Sequence, residues 1–314
     1  MFRLTLASVM IFLMVGLCAA ATADKTTPSD VYNELIKAAR DIELIKKHLT
    51  RGRAAPAPTA KYIKIDVKPR HVWQKTYIIL LKINLLRKLH GLPTNSVSSL
   101  EPVVELDPVL NYEQARRIQT ELALLKFRLG ITSDAAPPAA DGEKKATGPG
   151  RKTPSDVFNL LHNMSLQLDS LIGENSELNH SFAQTMRILD DINSIILALN
   201  IKDETIPPAK KPSAVAADSF EAALKVLDEI HRLQRQTGIG IVDFHSLAEG
   251  EITGSDVLTI TSMILAELQT LKAAVGLKDV LTSSAKVYTN KTQAEISQIL
   301  GWAYRRLQRI DTLK

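Results

Sequence analysis

The sequence predicts an all-α protein of about eight helices, arranged as two antiparallel helical-bundle domains built from an internal repeat. Three observations carry this expectation. The pentapeptide Thr-Pro-Ser-Asp-Val stands at residues 27–31 and 153–157 and returns as Thr-Gly-Ser-Asp-Val at 253–257. Each copy opens an apolar run spaced three and four residues apart, the period of one helix face. Between such runs lie connections marked by proline or glycine, and no segment reads convincingly as a strand.

Taken in order, the first helix starts with Thr27 as N-cap, Pro28 at the first helical position and Asp30 in the first turn. Its stripe is Val31, Leu35, Ala38, Ile42, Ile45 and Leu49. A proline-bearing linker follows, with a short extended piece at 62–67. The second helix runs from Pro69 to Gly91 through Val72, Thr76, Ile79, Ile83 and Leu86. Its apolar stretch at 77–86 is interrupted or flanked by Lys75, Lys82, Asn84, Arg87 and Lys88, which marks a buried core helix rather than a membrane span. Asp107-Pro108 opens a third helix with Ala115, Ile118, Leu122, Leu125 and Leu129, and Gly130 ends it.

Residues 132–152, rich in proline, glycine and alanine, read as a flexible linker between an N-terminal bundle at 24–131 and a C-terminal bundle at 153–314. Val157, Leu161, Met164, Leu168 and Leu171 then reproduce the register of the first helix. Further stripes follow: Phe182 to Leu199, Phe220 to Ile230, Val257 to Val275, and Ile296 to Ile310. The three-helix units starting at Thr27 and Thr153 are expected to superpose.

Residues 1–23 combine Arg3, an apolar run over 4–17 and small residues ending in Ala21-Thr22-Ala23, the pattern of a secretory signal peptide. The run is shorter than the roughly 20 residues a spanning helix needs. Cleavage after Ala23, export to the periplasm or extracellular space, and no transmembrane segment in the mature chain are therefore expected. Cys18 is the single cysteine, which leaves a cysteine-free mature chain with no disulfide or thiolate metal site. A content of 45% hydrophobic residues can supply a core instead.

The formal net charge of +5 hides an asymmetry. Residues 24–92 hold 15 Lys and Arg against six Asp and Glu, a net of +9, and residues 93–314 hold 23 against 28, a net of −5. Lys37, Arg40, Lys46, Lys47, Arg51, Arg53, Lys82, Arg87 and Lys88 are expected to project from the first two helices as a continuous positive face. Such a face would dock on an anionic envelope component or an acidic protein surface. Nucleic acid is not an expected partner, because aromatics are 5% of the chain and no binding motif occurs. A smaller basic group, Arg305, Arg306 and Arg309, lies beside Trp302 and Tyr304 and reads as one face of a bundle helix.

Two pairs, Glu177 with His180 and Asp228 with His231, place a carboxylate three residues before a histidine, as di-iron bundles do. Neither pair has a matching acid at a core position on a flanking helix, so no metal and no cofactor is expected. No phosphate loop, nucleophile elbow or His-Glu-x-x-His is present, and no enzyme is expected. The reading is an exported, non-enzymatic bundle that acts through protein or cell-envelope contacts. The alternative is a bundle that binds a small molecule or a metal.

Overall fold

A computed structural model describes residues 26–51, 62–95, 97, 104–131, 151–173, 177–248 and 250–313. The expected signal peptide at 1–23 with Cys18, Arg53 and most of the expected linker at 132–152 lie outside them. Among the described residues the protein is all-helical, with eight α-helices and no strand. They are α1 (Pro28–Leu49), α2 (Pro69–Leu89), α3 (Pro108–Arg128), α4 (Pro154–Ile172), α5 (Leu178–Ala198), α6 (Ala216–Thr237), α7 (Gly254–Ala274) and α8 (Gln293–Leu307).

The caps explain the boundaries. At Thr27, Thr153, Thr253 and Thr292 the residue three positions on, Asp30, Asp156, Asp256 or Glu295, accepts the backbone N–H of the threonine at 2.8 to 3.0 Å. At the other end, five helices close with one motif: Leu92, Ile131, Ile201, Ile239 and Leu277 each donate their N–H to the carbonyl five residues back. The residue before each of them has positive φ; it is glycine at four ends and Asn200 at the fifth.

The helices pack as two groups of four. In the first, α1 and α2 each lie against α3 and α4; in the second, α5 and α6 each lie against α7 and α8. The expected antiparallel arrangement does not hold inside either group. Pro28, Pro69, Pro108 and Pro154, with Val31, Val72, Asn111 and Val157 one turn on, all line one small pocket, so the four N-termini meet at one end. Lys152 N–H reaches Ser29 Oγ at 3.1 Å, and Asn111 Nδ2 reaches the Pro69 carbonyl at 3.2 Å. Further along, Lys126 pairs with Asp41, and Arg87 with Glu121 at 2.5 Å. The second group is parallel too: Lys291 N–H meets Asn179, Gln184 meets Ser262, and Lys272 meets Asp191.

Connection length is the physical reason. A helix of 21 residues is about 31 Å long, and roughly ten extended residues return the chain over that distance. Every connection within a group is longer than that. Where described, it runs back along a helix of its own group. Asn159 clamps Ile63, accepting its N–H at 2.6 Å and donating to its carbonyl at 3.0 Å, and Ile63, Ile65 and Val67 are buried in alternation. Trp302, Arg305 and Gln298 of α8 donate to the carbonyls of Thr205, Ile206 and Pro208. Arg306 is buried against Asp203 at 2.6 Å, so the Arg305 to Arg309 cluster is partly structural.

Residues 173–177 are too few for such a return, and α5 turns back on α4. The two groups therefore meet antiparallel, with α2 against α7: Arg70 faces Glu267, Lys75 faces Thr259 and Lys82 faces Ser255. Helix α7 is long and apolar enough to cross a membrane by length and composition, but it is buried at the centre of the molecule.

Helix α4 packs with α1 and α2, so the chain passes from one group to the other after Ile172 rather than within 132–152. The repeat also does not extend to packing. Helix α1 lies on α3, whereas α4 finds its close neighbours in α1 and α2 rather than in α6. What the pentapeptide copies share is the start of a helix.

Candidate functional site

The expected continuous positive face on α1 and α2 does not form. Helix α2 is interior, held by α3, α4 and α7. Lys82 is fully buried against Asp169 and Ser255, and Arg87 is buried with Glu121. Lys46 is buried on α1. Lys37, Arg40, Lys47, Arg51 and Lys88 are exposed, Lys37 in an ion pair with Glu34 at 2.8 Å.

A positive face does exist on a different pair of helices. Lys37, Arg40, Leu44 and Lys47 follow one another at helical spacing along the outside of α1, and Arg116, Thr120, Leu124 and Phe127 do the same on α3, with Arg128 beside them. The shared N-terminal pocket and the Asp41–Lys126 pair place the two rows in step, Leu44 level with Leu124. Sequence reasoning missed α3 because Glu105, Glu113 and Glu121 dilute its charge in a linear count. Glu121 turns inward to Arg87.

The acid-histidine pairs point to no common centre, and no group of three or more metal-ligating side chains occurs among the described residues. Glu177 is buried and lies 3.6 Å from Lys82 Nζ. His180 is held below its usual range by burial and the charge of Lys88. Asp228 is exposed, 3.8 Å from His245, and the buried His231 is likewise pushed down by desolvation.

The seam between the groups holds the polar cluster that sequence reasoning did not foresee. Glu267 of α7 accepts from Arg70 Nε and Nη2 at 3.1 and 2.8 Å, from His71 at 2.5 Å and from Gln234 Nε2 at 2.5 Å. His71 Nδ1 accepts the Lys68 N–H, so its proton sits on Nε2 and points at Glu267. Burial opposes ionisation of Glu267, but the His71 hydrogen bond and the Arg70 charge outweigh it and hold the carboxyl at about 2. One carboxylate thus ties α2, α6 and α7.

At the other end of the seam Lys82 reaches Asp169, Glu177 and Ser255 from α4, the start of α5 and α7. Burial first, and the neighbouring Asp169, raise Glu177 to about 7. Lys75 donates to Thr259 Oγ1 at 2.8 Å and lies 5.9 Å over the Phe158 ring. Its burial, with the charge of Lys82, lowers the amine to about 7. These contacts fill the seam with protein groups. An open groove of about 660 Å³ borders it, lined by Lys68, Arg70, Gln236, Thr237, Ala273 and Leu313 among others.

No protein family, no curated protein and no solved structure matches the chain, so any assignment of function rests on these residues themselves.

Proposed function

We propose that the protein is an exported, non-enzymatic docking protein, a rigid double bundle that presents the α1–α3 face to an anionic partner. The observation that carries this reading is the run of exposed Lys37, Arg40, Lys47, Arg116 and Arg128 around exposed Leu44, Leu124 and Phe127. The signal-peptide pattern of residues 1–23 supports export. The contacts of Glu267 with Arg70, His71 and Gln234, and of Lys82 with Asp169 and Ser255, support a rigid seam.

The test is retention of residues 24–314 on an anionic resin along a salt gradient. Charged surfaces are screened over about 10 Å at 0.1 M salt, so elution is expected at moderate ionic strength. Arg40→Glu with Arg128→Glu should elute much earlier than Lys202→Glu with Lys210→Glu on the second group. Equal shifts for the two pairs would remove the α1–α3 face from the reading.

The open groove beside Arg70 favours a second reading, a bundle that holds a small anionic molecule. A thermal shift with small carboxylates that disappears in Lys68→Ala would support it; no shift, or one unchanged by that substitution, would count against it.

A further inference from the structure

We infer that the partner of the α1–α3 face is an anionic phospholipid bilayer, with Leu44, Leu124 and Phe127 entering the headgroup layer and the surrounding cations lying against lipid phosphates. This rests on the docking reading and names its partner. Singly exposed apolar residues are ordinary on a protein surface. Here three lie at similar heights on the exposed sides of two parallel helices, Leu44 at 46%, Leu124 at 47% and Phe127 at 75% exposure.

Their shape and surroundings select the partner. The three side chains project from the outer faces of two neighbouring helices, and the grooves described above are lined by other residues. A projecting apolar group suits a soft, flat interface, as the apolar side of an interfacial helix does. Lys37, Arg40, Lys47, Lys126, Arg116 and Arg128 stand around them against four carboxylates, Glu34, Asp41, Glu43 and Glu113. Glu34 and Asp41 are already paired, with Lys37 and Lys126. The excess of cations is what a negatively charged leaflet attracts.

A purely electrostatic partner, such as a charged polymer or an acidic protein, gives no role to Phe127.

The experiment is co-sedimentation of residues 24–314 with vesicles of phosphatidylcholine containing 30% phosphatidylglycerol, beside vesicles of phosphatidylcholine alone. Binding is expected only to the anionic vesicles and should weaken with salt. Leu44→Ser, Leu124→Ser and Phe127→Ser together should weaken it about tenfold or more, because each removes an apolar group from the interface. Arg40→Glu with Arg128→Glu should weaken it as well. All five positions are exposed, and an unchanged thermal melt verifies that each variant is folded. If charge reversal weakens binding and the serine variant does not, the bilayer seat is wrong while electrostatic docking stands. If neither variant matters, or no vesicle is bound while the resin still retains the protein through Arg40 and Arg128, the partner is not a bilayer. Loss of resin retention as well removes the docking reading itself.

Discussion

At the scale of single residues, the groups that matter most are charged and buried. Glu267 is shared by Arg70, His71 and Gln234, so its removal takes this acceptor from buried Arg70 and His71 and leaves Gln234 with Thr270 alone. Breaking a buried charged pair from one side costs about 3–5 kcal/mol. Glu267→Ala should lower stability by that order in denaturant unfolding, and a change below about 1 kcal/mol would mean the hub contributes little. Glu177 gives a pH signature. Its folded value of about 7 lies above its ordinary 4.5, so the folded state holds the extra proton. Stability from this group is complete below about 4.5 and is lost as pH rises through 7. Lys75, lowered to about 7, acts in the opposite sense, losing stability as pH falls from 10.5 toward 7. Comparing Glu177→Gln with the parent isolates the carboxyl. The parent should lose roughly 3 kcal/mol relative to the variant between pH 4.5 and 7, and a constant gap would refute the assignment.

At the scale of elements, each helix begins and ends by local chemistry, and the connections decide its direction. The strap at 62–67 illustrates how a return segment becomes structure, since Asn159 satisfies both backbone groups of Ile63. Parallel packing has a direct test on α1 and α3. Spin labels at the exposed positions 33 and 113 sit level in the parallel arrangement, whereas labels at 33 and 127 are separated by about 21 Å along the axis. The 33–113 distance should therefore be the shorter by pulsed dipolar spectroscopy. The reverse order would mean that α1 and α3 run antiparallel.

At the scale of the whole molecule, one continuous apolar core includes residues from all eight helices, and α2 and α7 contribute to it from the two groups. The polar contacts of Arg70, Lys75 and Lys82 with α7 cross the same seam. The protein should unfold in a single calorimetric transition with equal calorimetric and van't Hoff enthalpies. Two resolved transitions would show that the groups are energetically independent. A rigid frame of this kind suits a protein whose contact surface, the α1–α3 face, depends on keeping two helices in step.

Much of this was legible from residues close together in the chain. The helices, their starts at Thr27, Thr153 and Thr253, their glycine ends and their buried stripes follow from caps and from the 3.6-residue period, both of which act over a few residues. Connection length was legible too, and its consequence was missed: segments such as 199–215 and 275–292 are long enough to bring the chain back before the next helix starts. Tertiary structure alone decided that α4 joins α1 to α3. A stripe says that a helix has a buried side without saying which helix covers it. The same holds for charge. Lys75, Lys82, Arg87 and Glu267 look like surface residues in a linear count, and only the closing of α2 against α3, α4 and α7 takes them out of water, while Lys37, Arg40 and Lys47 of α1 and Arg116 and Arg128 of α3 stay exposed.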